Sequence, residues 1–521
     1  MKGAAWLLVL LFLLTTASFV HRVEYSNEWC RYMLVGAVVD YHDLRVQYFN
    51  PNPNDDVAVF EGRVYSAKAI GEPLLALPVY WVLRTLTPLG DGEPLSFGSR
   101  YLVRVIVTTL PFCLLMGALF SLARRMGASP GNSACMVLAY GFGTIALIQA
   151  MLFGGHQGAA TFGLFSFALL YWLRTRSRAG ERAPLPLFAL AGLSAGIAAL
   201  CDYTAMYMAL VLSGYVLSLP VRRSGKFFFL AGGSVCAVLL GIYNAHCFGG
   251  PFTMSYAYMS NQAFFQGTRS GIVGVALPDF GVLLKLLASP SRGVFFIMPV
   301  LLLSLLGLPR MWQLGGLKRE VLAILFIVCG YFFINAGFYG WHGGWCFGPR
   351  YLTPMLPFLA LPLAFAPQRN PWFVLLLLLS ALQVGMAAAT FPQTPETVAN
   401  PLLEIVLPFY LGGYSALNLG NVLGLPDPLS LLPILLVAGG LIALTLRKTG
   451  LPDKQPLPVW GRVLAAGACL AVIVCLGMVK SEPARGVHCA RALLLNNAAI
   501  SKALKQGPDM LLREQALCRG E

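Results

Sequence analysis

Apolar stretches long enough to cross a bilayer recur along the whole chain, and no other feature restricts its fold as tightly. They run at 4–20, 101–123, 131–153, 156–173, 185–201, 203–219, 227–245, 293–309, 320–337, 351–367, 372–390, 430–446 and 459–479. A crossing helix needs ~17–25 mostly apolar residues, so these stretches amount to about thirteen crossings. Charged residues make up only 11% of the 521 residues, against 57% hydrophobic. Soluble domains carry about 25% charged residues. A soluble interior has no room for so much apolar surface, and the solvent must be lipid. The expected fold is an all-α polytopic membrane protein, with one helical domain over 1–480 and a short tail over 481–521.

The net charge of +15 does not point to nucleic acid, because the basic residues sit in short clusters between apolar runs. With Met1 inside, one side receives Lys2, the pair Arg124–Arg125, and the group Arg174, Arg176, Arg178 and Arg182. It also receives Arg222, Arg223, Lys226, Arg310, Lys318, Arg319, Arg369, Arg447, Lys448 and Lys454. The turns at 154–155 and 202 and the segment 391–429 carry none. This alternation predicts a cytoplasmic N-terminus and two long outside segments, 21–100 and 480–521. Lys2 followed by an apolar run to Val20 also fits a cleaved signal peptide, which leaves the orientation unchanged. Residues 72–88 are apolar but hold Glu72, Arg84 and three prolines, and read as an interfacial or re-entrant helix. Residues 401–424 read similarly. The cysteines show no metal-site spacing, and most lie in apolar runs as small hydrophobes. Cys489 and Cys518 are placed to form a disulfide in the outer tail.

Polar residues collect on the predicted outer side. The first outside loop holds Glu24, Glu28, Asp40, Asp43, Asp55, Asp56, Glu61 and Glu72, with Arg31, Arg45, Arg63 and Lys68. Later come HCFGGPFTMSYAYMSNQAFFQGTRSGIVG, then SPSRG, and a turn FYGWHGGWCFGPR. Aromatic faces stack on sugars and Arg pairs bidentately with phosphate, so this mixture suits a carbohydrate or lipid-phosphate site. As a set, the aromatics fit an interfacial belt with snorkelling Arg equally well. The run around His342 and Arg350 favours a site, because its four glycines serve no belt. Arg104, His156 and Asp202 stand at predicted helix ends. Ionisable groups at such depth are costly and commonly functional. The plainer readings are a satisfied structural His156 and an Asp202 that caps the helix after it.

Four segments in order resemble motifs of the bacterial GT-C-type membrane glycosyltransferases, the group of the lipid A aminoarabinose transferase and the protein O-mannosyltransferase-like enzymes. They are GRVYSAKAIGEPLLALPVY, IYNAHCFGGPFTMSY, LLASPSRGVFFIMPVLLL and WHGGWCFGPRYLTPMLPFL. The resemblance implies a GT-C-like bundle whose long first extracytoplasmic loop carries interfacial helices, in a bacterial plasma membrane. It implies transfer of a sugar from a polyprenyl-phosphate donor to an extracytoplasmic lipid, glycan or protein, with membrane lipid as a partner. The family's acidic pair falls at Asn27-Glu28, where many relatives carry Asp-Glu. Glu28 is the first candidate for the base and Asp40 the second. Lys68, Arg292 and Arg350, with Tyr65 of the first motif, are candidates for donor phosphate. Asn27, Arg31, His156, Asp202, Asn244, Tyr256 and His342 complete the candidate set. No spacing dictates a metal site, and a divalent cation stays an open expectation. Sugar, acceptor and oligomeric state are not set by the sequence. Two other functions compete: a flippase of lipid-linked sugars, which lacks the internal repeats such transporters show, and a catalytically inert GT-C-like scaffold, which Asn27 favours.

Overall fold

A computed structural model describes residues 2–20, 25–51, 55–86, 93–427 and 429–477. Glu24, the tail from residue 478 and the Cys489–Cys518 pairing lie outside the described residues. The chain is helical: α1 Lys2–Ala17, α2 Ser26–Tyr41 and α3 Gly71–Arg84 lead into α4, Phe97–Arg125. Then come α5 Pro130–Phe142, α6 His156–Arg178, α7 Leu185–Cys201, α8 Ala205–Ser218 and α9 Arg223–Phe248. α10 Lys318–Ala336, α11 Pro371–Ala389, α12 Leu429–Thr449 and α13 Val459–Gly477 follow. Among the described residues, five helices are long and apolar enough to cross a membrane: α4, α9, α10, α11 and α12. Lys2–Ala17, Leu185–Cys201, Ala205–Ser218, Leu402–Leu411 and Val459–Val472 are shorter apolar helices.

Three of the apolar runs are not continuous helices. Residues 131–153 break after Phe142 into a short turn of helix, Ala146–Gln149, and an irregular approach to His156. Residues 293–309 form Val294–Ile297, a tight 3-10 turn Pro299–Leu303, and Ser304–Gln313. The run 351–367 alternates 3-10 and α geometry around Pro354, Pro357 and Pro362. Proline removes an N–H and clashes with the preceding turn, which explains the interruptions in 293–309 and 351–367; the run 131–153 holds no proline.

Hydrogen bonds sort the connections into two ends. At one end Arg174 of α6 meets Glu320 of α10, and Tyr215 of α8 donates to the same carboxylate at 2.5 Å. Asn132 donates to the Ala364 carbonyl at 3.2 Å and accepts from the Asp453 N–H at 2.9 Å. At the other end Phe153 N–H meets Glu28, and Arg292 meets the 342–344 turn. The basic turns thus gather opposite the Gly- and aromatic-rich loops.

Small residues permit a close helix crossing between α7 and α9. A Cβ on Gly192 would lie 1.8 Å from the Phe229 carbonyl oxygen, and one on Gly232 would lie 2.0 Å from that of Ala189. Small-residue faces let backbones approach where lipid supplies no hydrophobic drive.

The first loop holds an element the sequence reading lacked, a β-hairpin. Strand β1, Phe19–Val20, pairs antiparallel with a distant segment, Leu417–Asn418, while β2, Val57–Phe60, and β3, Arg63–Ser66, pair with each other. Glu61 and Gly62 join β2 to β3 with φ +48° and +74°. Two positive φ values match the primed hairpin turn that suits strand twist. Most of the segment 72–88 is helical, in α3, whose first residue packs on the C-terminus of α7; a Cβ on Gly71 would lie 2.4 Å from the Cys201 nitrogen, and residues 87–88 lie outside the described residues.

Gly192→Ala is expected to destabilise the detergent-solubilised protein by about 1–3 kcal/mol, the usual range for overpacking. Gly214→Ala, with nothing within 4 Å of its added Cβ, is the control. Thermal melts of the two variants should separate by several degrees, with the control at or above wild type.

Candidate functional site

The N-terminus of α6 is the hub of the loop end. Gly155 precedes it with φ +82°, and a Cβ there would meet the Cys201 carbonyl at 2.4 Å and Arg31 at 2.9 Å. Only glycine fits this corner. The next residue, His156, is buried, and its Nδ1 lies 2.6 Å from Asp202 Oδ2. Asp202 follows the last residue of α7, and its other oxygen accepts from Thr204 N–H at 3.0 Å and Thr204 Oγ1 at 2.9 Å. In the sequence, Asp202 and His156 stand as separate candidates, each with a plainer alternative, a helix cap for Asp202 and a satisfied structural role for His156. The structure makes them one pair. With Nδ1 facing a carboxylate, Nδ1 carries the proton and Nε2 keeps its lone pair. Nε2 is buried without a hydrogen-bond partner.

Cations surround this pair. Arg31 and Arg350 both lie within electrostatic reach of His156. Arg31 is buried on α2 and donates to the Asn27 carbonyl at 2.9 Å and to the Asn27 side-chain oxygen. Arg350 follows the glycine-rich turn, where Gly343, Gly344 and Gly348 take φ of +77°, +63° and +79°. That turn folds back over the Arg350 stem; a Cβ on Gly343 would lie 3.1 Å from Arg350 Cγ. The Arg350 guanidinium stacks 5.2 Å from the Tyr351 ring, which in turn meets the His156 imidazole edge-on at 5.3 Å. Asp56 lies within electrostatic reach of Arg350 and pairs with Lys68 at 2.8 Å. Asp56 and Lys68 flank the β2–β3 hairpin, whose pairing sets Val57 opposite Ser66 and so brings the two side chains together.

The other candidates fall in different roles. Glu28 is buried one turn before Tyr32, and its Oε1 accepts from the Phe153 N–H at 3.1 Å. It lines a narrow crevice with Arg100, Arg104, Tyr101 and Phe97. Asp40 sits at the far end of α2, about 18 Å along the axis from Glu28. There it accepts from Arg84 at 2.8 Å and Tyr80 at 3.0 Å, clamping α2 to α3. Arg292 is fully buried and spends its donors on main-chain carbonyls: His342 at 2.5 Å, Ser291 and Gly344 both at 2.9 Å. It holds the turn that carries Arg350 instead of facing an open space. His342 Nδ1 accepts from Gly344 N–H at 3.0 Å within that turn. Tyr65 is core, edge-on to Phe248 at 5.5 Å. Asn244 donates to the Pro251 carbonyl at 3.4 Å and shapes the turn after α9. Tyr256 meets Tyr203 edge-on at 5.9 Å, beside Arg31 and Asp202. Among the described residues no three His, Cys, Asp or Glu side chains gather to hold a metal ion.

Glu72, Asp56 and Tyr351 belong to the site without having been singled out. Glu72 opens α3, is 1% exposed, and receives the Gly155 and Gly158 N–H groups at the start of α6. An acidic side chain at a helix N-terminus complements the helix dipole. No protein-family model, curated protein or solved structure matches the chain.

Burial pushes the Glu72 carboxyl up to about 7, against the lowering effects of Arg31, the two N–H groups and Thr108. Unfolded, the same carboxyl has its ordinary value of 4.5. A folded value above the unfolded one means stability present below pH 4.5 and lost as pH rises through 7. The loss is on the order of 3 kcal/mol. Glu72→Gln should flatten the fall in melting temperature between pH 5 and 8 that wild type shows. Parallel pH profiles for the two proteins would contradict the assignment.

Proposed function

We propose that the chain is an integral membrane glycosyltransferase that moves a sugar from a polyprenyl-phosphate donor to an extracytoplasmic acceptor. The reading includes a GT-C-like bundle of about thirteen crossings, with the N-terminus cytoplasmic and the loop end outside. The observation that carries it is the placement of Arg31 and Arg350 beside the buried His156–Asp202 pair, with Asp56 and its partner Lys68 on the Arg350 side. Segments far apart in the chain supply these groups; Arg31, His156 and Asp202 are buried, and Lys68 and Arg350 half-buried, at the end of an apolar bundle. A departing phosphate would repay that cost, because fixed cations in a dry site stabilise developing negative charge.

An apolar groove of about 280 Å³ between α6 and α7 supports the same reading. Phe162, Phe165 and Leu169 line one side, and Leu190, Leu193 and Ile197 the other. Phe162 stands about 9 Å along the α6 axis from His156. A lipid tail in this groove would bring its headgroup up to the His156 end of α6. One second reading has an observation behind it. Asn27 supplies no carboxylate where related enzymes carry Asp, and its carboxamide is held by Arg31. A transfer-incompetent subunit that binds the carrier would look the same on this point, and turnover separates the two.

Polyprenyl phosphate should raise the melting temperature of the purified protein in a concentration-dependent way, by mass action on the folded state. Arg350→Ala should weaken that binding about 10–100-fold, the range for one hydrogen bond to a charged group. An unchanged titration in Arg350→Ala would remove Arg350 from the phosphate site. No shift with wild type at any concentration would remove the donor class.

A further inference from the structure

We infer that His156 takes the acceptor proton and that Asp202 positions it, so this chain runs its transfer on a His–Asp pair instead of the single carboxylate at Glu28. The inference rests on the transferase reading above. Three observations on the page carry it. His156 Nδ1 is anchored at 2.6 Å to a carboxylate that Thr204 holds from its other side. Nε2 is buried and has no hydrogen-bond partner. Two cations, Arg31 from α2 and Arg350 after the glycine turn, lie within electrostatic reach of the ring, and Tyr351 meets it edge-on.

Most buried side-chain polar atoms find a hydrogen-bond partner. This histidine satisfies only the nitrogen that fixes its tautomer, which is the arrangement of a base oriented by a third group. Glu28 offers less. Its Oε1 already accepts from the Phe153 N–H, and its crevice lies toward Arg100 and Arg104, outside the Lys68, Arg350 and His156 set.

The step balances without a co-reactant. The acceptor oxygen forms its bond to the anomeric carbon as its proton passes to His156 Nε2. The bond from that carbon to the phosphate oxygen breaks, its electron pair leaves on the phosphate, and the carrier departs as polyprenyl phosphate. The imidazolium is stabilised across Nδ1–H by Asp202 and later returns its proton to water. Arg31 and Arg350 stabilise the leaving phosphate and also disfavour a resting imidazolium, keeping the base free between turnovers. The charged and titratable groups facing the pair are Arg31 and Arg350 at His156, Cys201, Tyr256 and Tyr331 at Asp202, and Tyr351 against the imidazole.

The test uses full-length protein in detergent or nanodiscs with three probes: polyprenyl phosphoglucose, phosphomannose and phosphoaminoarabinose. Membrane extract supplies acceptors, and released polyprenyl phosphate is read by mass spectrometry. Wild type should release carrier from at least one probe. His156→Gln should slow release at least ~100-fold at unchanged donor KM, in the range for losing a general base. Added imidazole should restore part of the rate in His156→Ala, which a structural role would not allow. Asp202→Asn should displace the acid limb of the pH–rate profile as well as lower the rate. Melting temperature and polyprenyl phosphate binding confirm that each variant is folded. A folded His156→Gln within ~3-fold of wild type, with Glu28→Gln inactive, would overturn the His–Asp assignment and leave the transferase reading standing. No release by wild type from any probe would overturn the transferase reading, and this inference with it.

Discussion

The loop end is organised by the cost of burying charge. Arg31, Glu72, Arg104, His156, Asp202 and Arg292 are all under a tenth exposed in a chain that is otherwise mostly apolar. An isolated charge in so dry a setting costs many kcal/mol, so every such group must find a partner or a helix terminus. The partners found here come from remote parts of the sequence. Glu72 of the first loop caps α6, Asp202 after α7 holds His156, and Arg292 ties down the 342–344 turn. The loops are therefore fixed by electrostatic need, and the apolar helices serve as the frame that holds them at one end.

That division explains what the sequence made legible. Apolar runs and basic turns follow from composition alone, because lipid demands them, and the helices fall where those runs lie. Discontinuities were less visible. Pro354, Pro357 and Pro362 signal trouble in one run, yet nothing in 131–153 except Gly141, Gly143 and Thr144 marks the break after Phe142. The β2–β3 hairpin was readable in principle, since Val-Ala-Val-Phe, Glu-Gly and Arg-Val-Tyr-Ser carry strand propensity around a turn pair. The glycines of the 338–350 turn were legible as a structural demand, and their positive φ values show what the demand is.

The site residues were legible as residue types and not as partners. Lys68 and Arg350 stand in the polar centre, but Arg292, their equal by motif, proves to be a tether for the turn that carries Arg350. Asp40, on the same helix as Glu28, lies near its other end and serves as a clamp to Arg84. His156 and Asp202 each had a plain local explanation, and those explanations were adequate until the two side chains met. Pairing between distant helix ends has no signature in a single sequence, which is why Glu72 and Asp56 stood there only among the acids of the first loop.

The central claim is that the end of α6 receives the phosphate of a lipid carrier. A nanodisc structure of the protein with added polyprenyl phosphate tests it most directly. The account predicts phosphate density within hydrogen-bond reach of Arg350, beside His156, with the lipid tail entering the groove at Phe162 and Ile197. Density at the Glu28–Arg100–Arg104 crevice, with the His156 end empty, would contradict it.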